Sequence, residues 1–540
     1  MKSNSVRRLA SACLCFGLLL GTALVRPVAA SEPVADDVQK LADAIDKLIA
    51  DQWKENSVSP AAPADDSEFF RRVSLDVTGK IPPAADAMDF LESLSPDKRR
   101  QVVDRLLEDP GYITHFTTFW RNVMMPEVNA DFQVRFLVPS FDSWLRKQLT
   151  ENTQYDALVK EILTTPLDSG QNNRRNPYQR LGEASPLAFF QAKQIAPENL
   201  ASATSRIFLG IRIECAQCHD HPFDTWKQEH FWSLAAFYGG IERQGNQGIF
   251  GRVRELSDRR ELNIPDTETV VQAGYLDGTE PQWRFRVGAR TTLAGWVTSP
   301  ENPYFARTAV NRMWGHFFGV GIVDPVDDFT AGNPPSHPEL LDLLAKEFAV
   351  HNFDLKFLIR AITASRTYQL TSRKTDERTD DPQLFARMAV KGLSGEQIYD
   401  SVAQATGSYR PYNARNPFSF GGNDPRGEFL ETFANNTDAT TARQTTILQA
   451  LAMMNGQLVA NATNLSQSRS LAAVAEFPGL TTAERIENLY FLTLSRKPRP
   501  EEIERLVKYV ERGGEKSDPK KSLGDVFWAL LNSSEFMFNH

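Results

Sequence analysis

Apolar residues recur every three or four positions along most of this chain, and this spacing constrains its fold more than any other feature. The first such stripe consists of Val38, Leu41, Ile45, Leu48 and Ile49. These positions share one face of an α-helix, which turns once in about 3.6 residues. The same period recurs in residues 96–112, 152–166, 227–240, 302–319, 337–350, 354–365, 499–514 and 522–536. The predicted fold class is therefore mainly α.

A chain of 540 residues exceeds the usual size of one domain, so we expect more than one. Residues 246–298 interrupt the helical pattern, since stretches within them alternate apolar and polar residues as strands do. These stretches are 250–256, 269–276 and 283–288. We predict two helical domains with a short β-rich segment between them. The predicted parts are a signal peptide (1–30), an N-terminal helix and linker (31–68), a first helical domain (69–245), a β-rich insert (246–298) and a second helical domain (299–540).

The first thirty residues have the pattern of a secretory signal peptide. Basic residues at Lys2, Arg7 and Arg8 precede an almost uncharged run from Leu9 to Val25, and Val28-Ala29-Ala30 resembles a cleavage site. An uncleaved anchor is the alternative, although the run is shorter than the roughly 20 residues that a span needs. We therefore expect an exported protein, in the periplasm, at the cell surface or secreted. The mature chain is expected to have no transmembrane segment.

Charge and cysteine content narrow the function classes. Removing the four basic residues of 1–30 takes the formal charge from −8 to −12, which argues against nucleic acid or anionic lipid as a main partner. Cleavage would also remove Cys13 and Cys15 and leave only Cys215 and Cys218. A single pair cannot form a disulfide framework. These two cysteines are therefore expected to serve local chemistry or to form one small disulfide loop.

Both remaining cysteines lie in the stretch CAQCHDHPFDTW, residues 215–226. The pattern C-x-x-C-H is the signature of c-type haem attachment, because two thiols add to the porphyrin vinyl groups and the adjacent imidazole ligates the iron. Cys215 and Cys218 would thus carry haem c, with His219 as the iron ligand. Such attachment takes place outside the cytoplasm, which agrees with the predicted export.

Three other interpretations of this stretch remain. Zinc would use the two cysteines with one or two of His219, His221 and His230, although zinc ligands usually come as two well-separated pairs. A redox dithiol would need a thioredoxin-like βαβ pattern, which the surrounding sequence does not show. The third interpretation is a disulfide or free thiols in a loop that Asp220 and Asp224 order.

A haem iron bound by His219 has a sixth ligand position. His221 is only two residues further along the chain and cannot reach the opposite face of the same ring. More distant candidates are His230, His316, His337, Met124, Met125 and Met313. Methionines in aromatic-rich helices are more often core residues than ligands, so the sixth ligand stays open.

A second group of polar residues lies in the segment 323–341. Asp327, Asp328 and His337 would form an acid–base or metal site there, and a hydrolase is the function that such a site predicts. The simpler alternative is structural, with Ser336 capping the helix that follows.

Long stretches of the chain resemble a known pair of domains. Residues 70–83 (FRRVSLDVTGKIPP), 152–163 and 208–238 are similar to the planctomycete cytochrome-c-related domain, which is domain-of-unknown-function family 1549, also called the second planctomycete cytochrome domain. Residues 302–348 and 357–372 resemble its usual partner, domain-of-unknown-function family 1553. Shorter matches to the partner are 393–407 and 449–456.

The C-x-x-C-H motif and the export signal predict an exported c-type-cytochrome-like protein, in electron transfer or an oxidoreductase step. The resemblance adds a link to extracellular polysaccharide breakdown, because members of the family are often encoded near polysaccharide-degrading enzymes. The partners of this chain would be a redox partner or polysaccharide-degrading enzymes. His230 departs from the family, whose members commonly have an acid at that position. The alternative is a non-haem surface or scaffold protein that binds glycan or a partner enzyme, its Cys/His loop holding zinc or a disulfide.

Overall fold

The computed structural model describes residues 32–167, 183–222, 224–244, 252–374, 377–408, 425–433, 446–514 and 518–540. Within these ranges the chain is mainly α-helical, as predicted, and its strands form short two-stranded sheets. The predicted signal peptide lies outside the described residues. No helix in the described ranges has the length and apolar character needed to cross a membrane.

The residues before the β-rich segment fold into helices, three of which begin at an aspartate that caps the first turn. The helices are α1 (Glu32–Glu55), α2 (Asp66–Thr78), α3 (Ala84–Glu92), α4 (Lys98–Glu108), α5 (Pro110–Met124), α6 (Phe132–Arg135), α7 (Val138–Thr150), α8 (Tyr155–Thr164), α9 (Leu187–Ala192), α10 (Pro197–Thr204) and α11 (Gln228–Ala236). In α2, for example, the Asp65 carboxylate accepts a hydrogen bond from the Glu68 amide. The helix ends at Gly79, whose φ of 73° suits glycine. These local signals explain why α2 has sharp ends.

The β-rich segment is shorter than the sequence predicts. Its strands pair as two antiparallel hairpins, β1 (Ile241–Gln244) with β2 (Arg252–Glu255) and β3 (Glu261–Asn263) with β4 (Val270–Gln272). The strand predicted at 283–288 is wrong, because these residues form a turn. The next residues form α12 (Ala289–Val297), which buries Leu293 and Val297 and packs on α8. Alternation in a short stretch did not distinguish a strand from a turn leading into a helix.

The described residues after α12 form helices, the loops between them and one small sheet. Its elements are α13 (Phe305–Phe318), α14 (Pro338–Val350), α15 (Leu355–Ala364), β5 (Lys391–Gly392), α16 (Gly395–Thr406), α17 (Pro425–Thr432), α18 (Ile447–Asn455), α19 (Gln457–Ala462), α20 (Arg469–Glu476), α21 (Thr482–Leu494), α22 (Pro500–Glu511), α23 (Pro519–Leu531), α24 (Ser534–Met537) and β6 (Phe538–Asn539). Strand β5 pairs antiparallel with β6, which ties the chain end to the middle of the sequence.

Buried apolar side chains form two clusters that divide the chain near residue 390. The larger cluster runs from Val38 to Met388, with Phe491 in addition, and so includes α13, α14 and α15 together with the helices before the β-rich segment. Helices α14 and α15 pack directly on α1. The smaller cluster takes residues from Leu393 to Met537 and two contributions from the earlier chain, Leu75 and Ile81. The start of the second helical part therefore shares its core with the first.

A buried polar group, which we call the Asp76 network, joins the two clusters. One Asp76 carboxylate oxygen accepts from Lys391 Nζ (2.6 Å) and Asn539 Nδ2 (2.7 Å), and the other accepts from the Tyr368 hydroxyl (2.8 Å). The Asp76 main-chain oxygen lies 2.8 Å from His316 Nε2. Lys391 also donates to the carbonyl of Phe317 (2.8 Å). Because both charges are buried and bonded, this group stays stable only while it is complete.

Candidate functional site

The C-x-x-C-H stretch follows an irregular end of helix α10. The helix continues into a π-helical turn, Ser205–Leu209, and stops at Gly210 with a φ of 70°. A Cβ at Gly210 would stand 2.6 Å from the Phe329 ring, so only glycine allows this close approach. A 3₁₀ turn, Glu214–Gln217, then carries the first cysteine. Single π turns are rare and occur often at functional sites, so this turn indicates that the segment is a candidate functional site.

Both thiols and the adjacent imidazole face solvent. Cys215 and Cys218 are free and exposed, and His219 is exposed as well. His219 Nδ1 lies 2.8 Å from the main-chain oxygen of Asp220. Because a carbonyl oxygen only accepts, Nδ1 carries the proton, and the lone pair of the neutral ring is on Nε2. This is the tautomer that a metal-binding histidine uses when its second nitrogen bonds to the main chain.

Side chains from helix α11 hold the main chain of this loop. Gln228 Nε2 donates to the carbonyls of Gln217 (3.2 Å) and Cys218 (3.1 Å). Trp232 Nε1 donates to the Gln217 carbonyl at 3.0 Å. In return, Asp220 accepts from the Gln228 amide (3.0 Å), which is the first N–H of α11. The loop and the helix therefore fix each other without any further group.

The other predicted ligands have local roles. The His221 amide donates to the Trp226 carbonyl at 2.7 Å, and the Asp224 carboxylate accepts from the Thr225 amide at 2.7 Å. His230 Nδ1 accepts from the Lys227 amide at 3.2 Å. Among the residues described, no group of three or more His, Cys, Asp or Glu side chains is arranged to hold a metal ion. The ligand set expected for zinc is therefore not assembled here.

An ion-pair clamp connects this segment to the loop after α13. Asp327 Oδ1 accepts from Arg212 Nη2 (2.6 Å) and Nε (3.0 Å), and Oδ2 lies 2.5 Å from Arg206 Nε. Burial alone would raise the pKa of Asp327, but hydrogen bonds and charge from the two guanidinium groups outweigh burial and lower it. The Phe329 amide also donates to the Gly210 carbonyl at 2.9 Å. The Asp327 clamp thus fixes the segment immediately before Cys215.

Two protein-family models match the chain on either side of the β-rich segment. The first, PSCyt2, is described as a protein of unknown function (DUF1549) and matches residues 44–243. The second, PSD1, is described as a protein of unknown function (DUF1553) and matches residues 289–419 and 423–510. The chain belongs to the PSCyt2–PSD1 family. No curated protein and no solved structure matches it.

The PSCyt2 and PSD1 segments therefore meet at the Asp327 clamp. Arg206 and Arg212 come from PSCyt2 and Asp327 from PSD1. The sequence analysis did not identify either arginine, although both lie within ten residues of Cys215. Glu214 is the other charged residue here, and burial raises the pKa of its carboxyl. Charged residues directly before a C-x-x-C-H motif would have been a usable signal.

The aspartates and histidine predicted in the PSD1 loop do not come together as an acid–base pair. Asp327 contacts the two arginines, whereas His337 is buried, lies 3.1 Å from the Ser336 hydroxyl through Nδ1 and faces the Phe385 ring. Burial lowers the pKa of His337 to about 4. Asp328 is partly exposed, and its carbonyl accepts from Asn333. Ser336 does not cap α14, because its hydroxyl bonds to the Ile322 carbonyl instead.

Most of the distant candidates for a sixth iron ligand are buried or partly buried, whereas His230 is exposed. Met124, Met125 and Met313 have no exposed area and belong to the larger apolar cluster. His316 bonds to the Asp76 carbonyl within the Asp76 network. The exposed His219 ring lies in different surroundings from these four side chains. A partner for the distal side stays unassigned.

Proposed function

We propose that the protein is an exported c-type-cytochrome-like protein that carries haem c on Cys215 and Cys218. The observation that supports this most directly is the combination of two exposed free thiols with an exposed imidazole whose Nδ1 bonds to the main chain. Haem attachment requires thiols that are free to react and a ring nitrogen that is free to ligate. His219 would be the axial ligand through Nε2.

The residues around the motif would keep these donors in place. Gln228 and Trp232 hold the main chain between the two cysteines, and Asp220 holds His219 in the required tautomer through its carbonyl. Bound haem supplies reversible one-electron chemistry. We therefore propose electron transfer or an oxidoreductase step, with a redox partner and a link to extracellular polysaccharide breakdown.

Expression with and without a periplasmic haem-maturation system tests the attachment. The mature chain should gain the mass of one haem, a haem-stained band under denaturing conditions and absorption in the Soret region. Cys215→Ser with Cys218→Ser should remove all three. His219→Ala should keep the covalent haem but alter the axial-ligand spectrum, whereas His221→Ala should leave both unchanged. A colourless protein of unmodified mass, made in a strain that matures other c-type cytochromes, would refute the proposal.

Export is a separate part of the proposal. The basic residues, apolar run and cleavage motif of residues 1–30 support a periplasmic or cell-surface location. Cell fractionation and the N-terminal mass of the recovered chain test it. A chain recovered from the cytoplasm with residues 1–30 intact would contradict it.

A second candidate function is a non-haem surface or scaffold protein that binds a glycan or partner enzyme. The observation in its favour is that Gln228, Trp232 and Asp220 order the loop through hydrogen bonds within the chain. Metal analysis with thiol titration separates the two proposals. One zinc per chain without haem, or two unmodified thiols in protein from a maturing strain, would favour the second.

A further inference from the structure

A cleft of about 350 Å³ lies where the start of α2, the end of α21 and residues 534–540 meet. None of the residues that line it belongs to the C-x-x-C-H loop. This volume is at the lower end of the roughly 300–1,000 Å³ that small-molecule sites occupy. Its polar lining is dominated by four arginines with serine hydroxyls between them. These residues are Arg71, Arg373, Arg496, Arg499, Ser372 and Ser534.

Arg71 is a buried cation that forms no ion pair at contact distance with a carboxylate of the described residues, although the charge of Glu535 acts on it. Its side chain is 1 % exposed, and it donates to the carbonyls of Thr493 (2.8 Å), Glu535 (3.1 Å) and Phe536 (3.1 Å). Its Nε is buried and has no hydrogen-bond partner among the described residues. No carboxylate in the described ranges forms an ion pair with it. Buried charges in proteins are normally paired, so this one is short of a counter-charge.

The carboxylates that line the cleft are already engaged. Glu68 pairs with Arg72 at 2.7 Å, and Glu535 forms two bonds to Arg496 at 2.6 and 2.8 Å. Asp65 caps α2 and also lies 3.7 Å from Arg373.

Arg496 is further compensated by Glu502 at 2.8 Å, so the lining arginines that form no ion pair with the described residues are Arg71 and Arg499. Arg499 is exposed at the cleft edge. Burial lowers the pKa of Arg71 to about 10, which agrees with a guanidinium that lacks full compensation.

We propose that this cleft binds an oxyanion group, a carboxylate, sulfate or phosphate, carried on a small organic molecule. Arg71 at the buried end and Arg499 at the edge would supply the charge, and the hydroxyls of Ser372 and Ser534 would supply neutral donors. Arginine suits this task because its planar donors match the oxygens of such groups. The proposal does not depend on haem, since none of these residues belongs to the C-x-x-C-H loop.

Calorimetric titration of the full mature chain with sodium phosphate, sulfate or acetate tests the site, with sodium chloride at equal ionic strength as the reference. We expect saturable binding of at least one oxyanion and none of chloride. Arg499→Gln should weaken that binding about tenfold, as expected when a charged hydrogen bond is lost. Arg505→Gln is the matched control, because Arg505 is exposed on helix α22, which begins directly after Arg499, but does not line the cleft.

The relative affinities for the three anions also indicate which oxyanion group the natural ligand carries. Preference for phosphate or sulfate indicates a tetrahedral group, and preference for acetate indicates a carboxylate. Equal heats for all salts, or identical affinities in Arg499→Gln and Arg505→Gln, would overturn the proposal.

Discussion

The Asp76 network and the C-x-x-C-H loop differ in the burial of their polar side chains and in the number of partners that these side chains have. In the network, Asp76 and Lys391 are buried, and each is bonded to several partners. In the loop, Cys215 and Cys218 are exposed and free, and the bonds go to the main chain between them. The first arrangement stabilises the fold, whereas the second leaves reactive groups available. The residues of the C-x-x-C-H motif, which the sequence pattern identifies, are therefore expected to contribute less to the stability of the fold than Asp76 and Lys391.

The largest expected effect comes from breaking the network. Asp76→Ala should lower the free energy of unfolding by about 3–5 kcal/mol, because it leaves the Lys391 ammonium buried without its counter-charge. Denaturant unfolding measures the change. Asp76→Asn combined with Lys391→Met removes both charges and should cost less than Asp76→Ala alone. A loss below about 1 kcal/mol for Asp76→Ala would show that the network contributes little.

Acid should weaken the same region through His115, which packs against His316 beside the network. Burial lowers the pKa of His115 to about 3, from 6.5. Below about pH 6.5 the unfolded chain therefore binds a proton that the folded chain does not bind, so the free energy of unfolding falls as the pH decreases. The slope is up to about 1.4 kcal/mol per pH unit. His337, with a pKa of about 4, adds to this loss down to that pH.

His115→Gln should reduce the slope of unfolding free energy against pH between pH 6.5 and 5. Denaturant unfolding at several pH values in this window provides the measurement. His219→Ala is the control, because His219 is exposed. An unchanged slope in His115→Gln would contradict the burial argument.

A smaller effect is expected at the Asp327 clamp, which links the segment before Cys215 to the loop after α13. Asp327→Asn should cost about 1 kcal/mol, since the Arg206 and Arg212 side chains are 41 % and 37 % exposed and solvent screens them. Because the pKa of Asp327 is lowered, its contribution is complete above the ordinary aspartate value and is lost as the pH falls through the lowered one. Labelling of Cys215 by a thiol reagent should become faster as the preceding segment loosens.

Asp328→Asn is the matched control for the clamp, because Asp328 forms no ion pair within the described residues. It should leave both the stability and the labelling rate near those of the unmodified chain. Equal labelling rates in Asp327→Asn and Asp328→Asn would show that the clamp does not position Cys215.

The smallest effect on stability is expected in the loop itself. Cys215→Ser with Cys218→Ser should change the free energy of unfolding of the haem-free chain by no more than about 0.5 kcal/mol, because both side chains are exposed and unbonded. Thermal or denaturant unfolding checks this. A large loss would show that the thiols are structural and would weaken the contrast with the network.

Each of the nine periodic stretches named in the sequence overlaps a helix, but periodicity did not identify others, such as α5, α7 and α21. The stripe through Val38, Leu41 and Ile45 lies on α1 and is buried, since a helix must bury its apolar face. The β-rich segment was predicted less accurately, because short alternating stretches such as 283–288 carry little periodic signal.

Side-chain pairing was the least predictable part. No sequence pattern connects Asp327 with Arg206 or Asp76 with Lys391, since these partners are more than a hundred residues apart. The C-x-x-C-H motif was visible because its members are adjacent in sequence. A site whose residues are adjacent in sequence can be identified from the sequence alone, whereas a site whose residues are far apart in sequence cannot.

A gene rearrangement that separated PSCyt2 from PSD1 between residues 245 and 289 would divide a single apolar core. Helices α13, α14 and α15 would be separated from the earlier helices with which they share a core. Each product would then expose a broad apolar face and aggregate. A crossover near residue 390 would disturb the contacts of Leu75 and Ile81 with the smaller cluster, those of Phe491 with the larger one, the bonds of Arg71 and the Asp76 network. We therefore expect the two segments to be inherited in one reading frame.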